Sequence, residues 1–152
     1  MRIIFLLVLI VSNLLFCAAN ASQNAQIKVE NSYARESIPG TSISSAYMTI
    51  KNLSNSNRRL VAATSDVSDR IEIHQHTMVD GLMRMRQLRF VDILANDSVQ
   101  FQPSGLHLMI FDLKQSLTAQ QQMTITLHFD DQTSVDVTYS IKGLKQKKHH
   151  HH

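Results

Sequence analysis

Thiol chemistry is almost absent from this chain. The only cysteine among its 152 residues, Cys17, lies just beyond an apolar run from Ile3 to Leu15. That run follows Met1-Arg2 and leads into "CAANAS", where Ala19 and Ala21 put small residues at the positions a signal peptidase reads. A charged start, a short apolar stretch and an A-x-A site describe a secretory signal peptide over residues 1–21. The run falls short of the roughly 20 residues that span a bilayer, so no stable membrane span is expected after cleavage. A lipidated cysteine would want a small residue before it, and Phe16 stands there instead. Cleavage after Ala21 would leave an exported chain with no cysteine, which excludes a disulfide scaffold, a thiolate nucleophile and a thiolate metal ligand.

Other absences narrow the field further. No segment sustains a helical period. There is no G-x-S-x-G elbow and no phosphate-binding glycine loop, so an enzyme is not expected. The net charge of +3 owes much to "KGLKQKKHHHH" at the end. No basic face with a nucleic-acid motif accompanies it, so a nucleic-acid partner is not expected either. The chain beyond the signal peptide reads as one domain, residues 22–143, followed by a basic His-rich tail, 144–152, expected to be disordered.

What is present is alternation. In "AYMTIK", Ala46, Met48 and Ile50 alternate with Tyr47, Thr49 and Lys51; "MTITLHF" and "SVDVTYSI" alternate cleanly around Asp130-Asp131-Gln132, an expected closing hairpin. Short alternating runs between Gly, Pro, Ser and Asn loops predict an all-β sandwich or barrel. Met48 and Met123 run in phase with Ile and Leu and are expected in the core. His128 shares its face with Thr124 and Thr126 and is expected to be exposed and without a role.

The stretch "IEIHQHTMVDGLMRMRQL", Ile71 to Leu88, breaks that economy. Side chains at i and i+2 share a strand face. His74, His76 and Met78 therefore share one face, away from Ile71 and Ile73. Met83 and Met85 share a face of the next strand, and His107 and Met109 in "GLHLM" share a face of a third. Two hairpin registers are open: a four-residue loop "MVDG" sets His74 opposite Met85, and a two-residue Asp80-Gly81 turn sets His76 there. Either register places imidazole and thioether about 4.5–5.5 Å apart at Cβ, close enough to share a metal ion. Thioether sulfur is soft and uncharged, so the combination selects Cu(I) over Zn, Mg or Ca.

The spacing His74, ten residues, Met85, twenty-one residues, His107, one residue, Met109 resembles the H-x10-M-x21-H-x-M signature of the PCuAC family of periplasmic copper chaperones. "SAYMTIKN" and "PSGLHLMIFDLKQSL" also resemble family segments, and the similarity runs from about Val29 to Ile141. The resemblance implies a cupredoxin-like Greek-key β-barrel or sandwich holding one Cu(I) near the surface through His74, Met85, His107 and Met109. His76, Met78 and Met83 fall outside the signature and rank as auxiliary or uptake ligands. The resemblance further implies a monomeric periplasmic carrier that supplies the copper subunit of cytochrome c oxidase, directly or through a thioredoxin-like copper chaperone. Some members carry His- and Met-rich extensions that bind Cu(II). By that likeness the tract His149, His150, His151 and His152 is a Cu(II) site, and it reads equally as a purification tag.

Two rivals remain to be weighed. An electron-transfer cupredoxin requires a cysteine thiolate at copper, which the exported chain lacks. A copper-sequestering or resistance protein would use the same ligands to buffer copper without delivering it, and sequence does not separate the two.

Overall fold

The computed structural model describes residues 26–143. The expected signal peptide, residues 1–21, and the tail with His149, His150, His151 and His152 lie outside the described residues. The described chain is built from ten strands: β1 (Ile27–Arg35), β2 (Ser44–Asn52), β3 (Arg58–Thr64), β4 (Arg70–Val79), β5 (Leu82–Leu88), β6 (Val91–Ile93), β7 (Ser98–Phe101), β8 (Leu106–Phe111), β9 (Gln122–Phe129) and β10 (Ser134–Lys142). They form one sheet in the order β5-β4-β8-β7-β2-β1-β10-β9-β3-β6, with β2 also paired to β8. Consecutive strands and spatial neighbours differ at several points, and the buried side chains of this one all-β sheet form a single core cluster.

Alternation decides which side chains enter that core. Ala46, Met48 and Ile50 of β2 point inward, joined by Leu108 and Ile110 of β8, Ile125 and Leu127 of β9 and Tyr139 of β10, all 0–1% exposed. Burying each aliphatic side chain of this size contributes roughly 1.5–3 kcal/mol. Met48 and Met123 are core residues, as their phase predicts. The Tyr139 hydroxyl donates to the Met48 sulfur at 2.6 Å, and burial pushes that phenol well above its usual range. The closing hairpin is present: β9 and β10 pair antiparallel from Ser134↔His128 to Ser140↔Gln122. His128 departs from expectation. It is half-buried, and its Nε2 is bonded to the Thr64 hydroxyl at 2.7 Å, across β9 and β3.

One edge of β2 is served by two strands in succession. Met48 to Lys51 pair with β7, and Ser44 to Ala46 pair with β8. The break is the turn Gln102–Gly105, where the Gly105 N–H donates to the Gln102 carbonyl at 3.0 Å and Ser104 takes φ +64°. The Gln102 N–H then reaches the Leu106 carbonyl at 2.7 Å, and the chain emerges beside β4. This interruption sets β8, with its His and Met, between β2 and the β4–β5 hairpin.

Far from that hairpin, Asn52 ends β2 in full burial. Its amide nitrogen is bonded to the carbonyls of Ser56, Ile93 and Leu94, and its oxygen accepts from the Ser54 N–H and hydroxyl. Asn52→Ala strands these groups away from water, so a loss of about 1–3 kcal/mol is expected, read as a lower midpoint in chemical denaturation.

Candidate metal centre

The β4–β5 connection fixes everything that follows. Val79 pairs with Leu82, so only Asp80 and Gly81 form the turn, with φ +51° and +76°. Two successive positive φ values make a type I′ turn, whose twist matches that of the strands it joins, and Asp-Gly is among its preferred pairs. Of the two registers, the tight one is formed. His76 therefore faces Met85, Met78 faces Met83, and His74 faces Gln87 rather than Met85.

On its other side β4 pairs with β8, placing His74 opposite His107 and Glu72 opposite Met109. Three imidazoles thus converge on one outer face. The His76 and His107 rings stack at 4.9 Å between centroids, and His74 lies 6.0 Å from His107. Tyr47 of β2 stands 6.4 Å beyond His107, and Phe111 stands 6.0 Å from His74. These rings wall off one side. His107 is 3% exposed whereas Met85, on the edge strand, is 49% exposed.

Hydrogen bonds assign the ring nitrogens. His107 Nδ1 lies 3.0 Å from the Gly105 carbonyl oxygen. A carbonyl only accepts, so Nδ1 carries the proton and Nε2 of the neutral ring is left bare. The ring is held neutral: burial pushes its pKa below the ordinary 6.5, the Gly105 bond pulls it back up, and neighbouring His76 and His74 push it further down. The bare Nε2 faces the Met85 sulfur at 3.2 Å, so two lone-pair donors point at one another. Tetrahedral coordination with nitrogen and sulfur bonds of about 2.0 and 2.3 Å would separate such donors by about 3.5 Å. The pair is therefore within a few tenths of an ångström of a shared cation.

The other two imidazoles are similarly prepared. His74 Nε2 donates to the Glu72 carboxylate at 2.8 Å, which leaves Nδ1 as the donor atom of the neutral ring. A carboxylate behind an imidazole fixes its tautomer and orientation. His74 Nδ1 and His76 Nδ1 are both buried and without a hydrogen-bond partner among the described residues. An orphaned buried nitrogen is costly, and coordination would relieve it.

Met109 is half-buried one same-face step along β8 from His107, between Glu72 of β4 and Ser45 of β2. It lines a cavity of about 370 Å³ with Arg35, Ile38 and Ile43. Met78 and Met83 share the face but sit at the hairpin tip, 68% and 56% exposed. Although the three imidazoles share this face, among the described residues no group of three His, Cys, Asp or Glu side chains is close enough to hold a metal ion by itself. The Asp-Gly pair favours the tight turn, and with it His76, which lies outside the signature, is the imidazole that faces Met85. Glu72 lies on the histidine face by alternation, although no signature position marks it. The Gly105 carbonyl carries no sequence signal.

The chain matches known proteins over this region. The family described as "Putative lipoprotein LpqE-like" matches residues 27–141. "Uncharacterized protein RP573" of Rickettsia prowazekii is 34% identical over 81% of this chain, which spans 62% of that relative's length. Among solved structures, the copper-bound PCuAC domain from PmoF2 superposes with a TM-score of 0.67 at 18% identity, covering 78% of this chain and 94% of that one. The Cu(I) form of DR1885 from Deinococcus radiodurans superposes with a TM-score of 0.61 at 26% identity, covering 83% and 85%. The fold is the cupredoxin-like β fold of PCuAC domains.

The depressed His107 pKa has a measurable consequence in the metal-free protein. Protons bind the unfolded chain before the folded one, so stability from the neutral ring is complete above about pH 6.5 and is lost as pH falls toward the folded-state value. Thermal midpoints measured between about pH 7.5 and 5 should fall with acidification, and His107→Gln should make that slope shallower.

Proposed function

The chain belongs to the LpqE-like family, and from that premise we propose that it is an exported copper chaperone carrying one Cu(I) ion on the β5-β4-β8 face. The observation that carries this reading is the His107 Nε2–Met85 Sδ pair, two bare donors 3.2 Å apart in a chain whose predicted exported part lacks cysteine. Soft, uncharged donors of this kind favour Cu(I) over Zn(II). The copper-bound PmoF2 domain and the Cu(I) form of DR1885 support the metal assignment by their shared fold.

In this reading Met85 and His107 hold the ion, His74 supplies a further nitrogen through Nδ1, and Met109 completes the set by swinging its flexible thioether along β8. His76, which faces Met85 across the hairpin and has an unpartnered buried Nδ1, competes with His74 for the nitrogen position. Glu72, bonded to His74, offsets the single positive charge of the ion without binding it. The walled, buried His107 side protects the metal, and the exposed Met85 side offers it to an acceptor. A carrier needs both, because an ion enclosed on all sides exchanges slowly. The lipoprotein relationship of the family supports export, with the periplasm as the compartment. The acceptor proposed is the copper subunit of cytochrome c oxidase, reached directly or through a thioredoxin-like copper chaperone.

Anaerobic competition with a Cu(I) chelator tests the site. Met85→Leu, His107→Ala and Met109→Leu should each lose at least about tenfold in affinity, or 1.4 kcal/mol, while Zn(II) binds weakly throughout. Unchanged affinity in both Met85→Leu and His107→Ala would sink the assignment. Comparing His74→Ala with His76→Ala identifies the further nitrogen. Delivery is measured separately, as transfer of bound Cu(I) to the apo copper domain of the oxidase or to the thioredoxin-like chaperone. Failure to transfer to either would leave copper buffering as the function.

A further inference from the structure

Six methionines lie among the described residues, and their distribution is uneven. Met48 and Met123 fill the core. The other four, Met78, Met83, Met85 and Met109, all lie on the single face that carries His74, His76 and His107. Met85 and Met109 belong to the site proposed above. Met78 and Met83 lie beyond it, and at 68% and 56% exposure they contribute little to packing. A solvent-facing hairpin tip would ordinarily favour β-branched or polar residues.

Their register is what makes the pair a candidate site. Met78 and Met83 are directly opposed, one same-face step outward from His76 and Met85. A two-residue turn makes its closing pair, Val79 and Leu82, a hydrogen-bonded one. Counting inward, Met78/Met83 and His76/Met85 both fall at non-hydrogen-bonded positions, where Cα atoms lie only about 4.5 Å apart and side chains are closest. Thr77 and Arg84, at the intervening hydrogen-bonded position, point to the other face. The donors therefore form a ladder running from an exposed thioether pair, through a mixed pair, to the buried His107.

We propose that Met78 and Met83 form a second, two-thioether Cu(I) site that captures the ion and passes it inward to Met85 and His76. The inference rests on the Cu(I) reading of the inner site. The ladder step is about 6.6–6.8 Å, within reach of methionine side chains with three rotatable bonds. Transfer is ligand exchange: the bonds from copper to Met78 Sδ and Met83 Sδ break as bonds to Met85 Sδ and a His76 ring nitrogen form. Copper stays Cu(I), and no electron moves. Two exposed sulfurs bind weakly and release readily. Adding imidazole and burial makes the inward step downhill for capture, and an acceptor with stronger donors reverses it.

The test is an anaerobic Cu(I) titration of the protein with 13C-labelled methionine methyl groups, followed by NMR. The Met85 and Met109 signals should shift over the first equivalent, and the Met78 and Met83 signals over a second, weaker one. The double variant Met78→Leu/Met83→Leu keeps the apolar bulk of the tip. It should lose the second phase and take up the first equivalent more slowly from a Cu(I)–chelator complex in stopped flow. Met78 and Met83 signals that stay in place under excess Cu(I), or wild-type uptake kinetics in the double variant, overturn the relay. Unmoved Met85 and Met109 signals with no tight equivalent overturn instead the inner site on which it rests.

Discussion

A single carbonyl oxygen organises the face proposed to bind metal. The oxygen of Gly105 accepts the His76 backbone N–H at 3.2 Å and the His107 Nδ1–H at 3.0 Å. The first bond ties the β4–β5 hairpin to the start of β8. The second fixes the His107 tautomer and aims its bare Nε2 at Met85. Gly105 can do both because it ends the turn that divides β7 from β8, where its carbonyl is not committed to a regular ladder. The interruption of the β2 edge and the chemistry of the site therefore have one cause. Loss of that turn geometry would free the hairpin and the ring together.

The site combines weak donors with graded burial. Thioether and neutral imidazole carry no formal charge, so the proposed preference for Cu(I) rests on softness rather than on electrostatic attraction. His107 lies deep because β8 is flanked by β4, β2 and β7, whereas Met85 is accessible because β5 is the edge of the sheet. An edge strand is normally a liability, since its unpaired backbone invites association. Here the edge supplies the opening through which metal exchange is proposed. Glu72 sits at one remove, bonded to His74, where its negative charge would offset that of the proposed ion without a hard ligand competing for it.

Much of this was legible in the sequence, and the reasons are specific. Period-two alternation separated Met48 and Met123, in phase with aliphatic residues, from Met85 and Met109, in phase with histidine. The hairpin register was also present in principle, since Asp-Gly is the characteristic type I′ pair, yet two residues of turn geometry decided whether His74 or His76 met Met85. His128 was misread because its partner, Thr64, lies on a strand distant in sequence. Glu72 shared the histidine face by alternation, but its bond to His74 depends on rotamers that spacing does not specify.

The sequence by itself determined the strand character, the core phase, the face shared by imidazole and thioether, and the softness of the donor set, because each follows from local periodicity and residue chemistry. Tertiary structure decided which donors meet. Cross-strand register put His76 rather than His74 opposite Met85, and sheet order put His107 opposite His74. The Gly105 carbonyl then chose which His107 nitrogen faces the sulfur. The His74–His107 pairing is long-range, and the His76–Met85 register, though local, was settled by a turn geometry that strand periodicity alone does not encode.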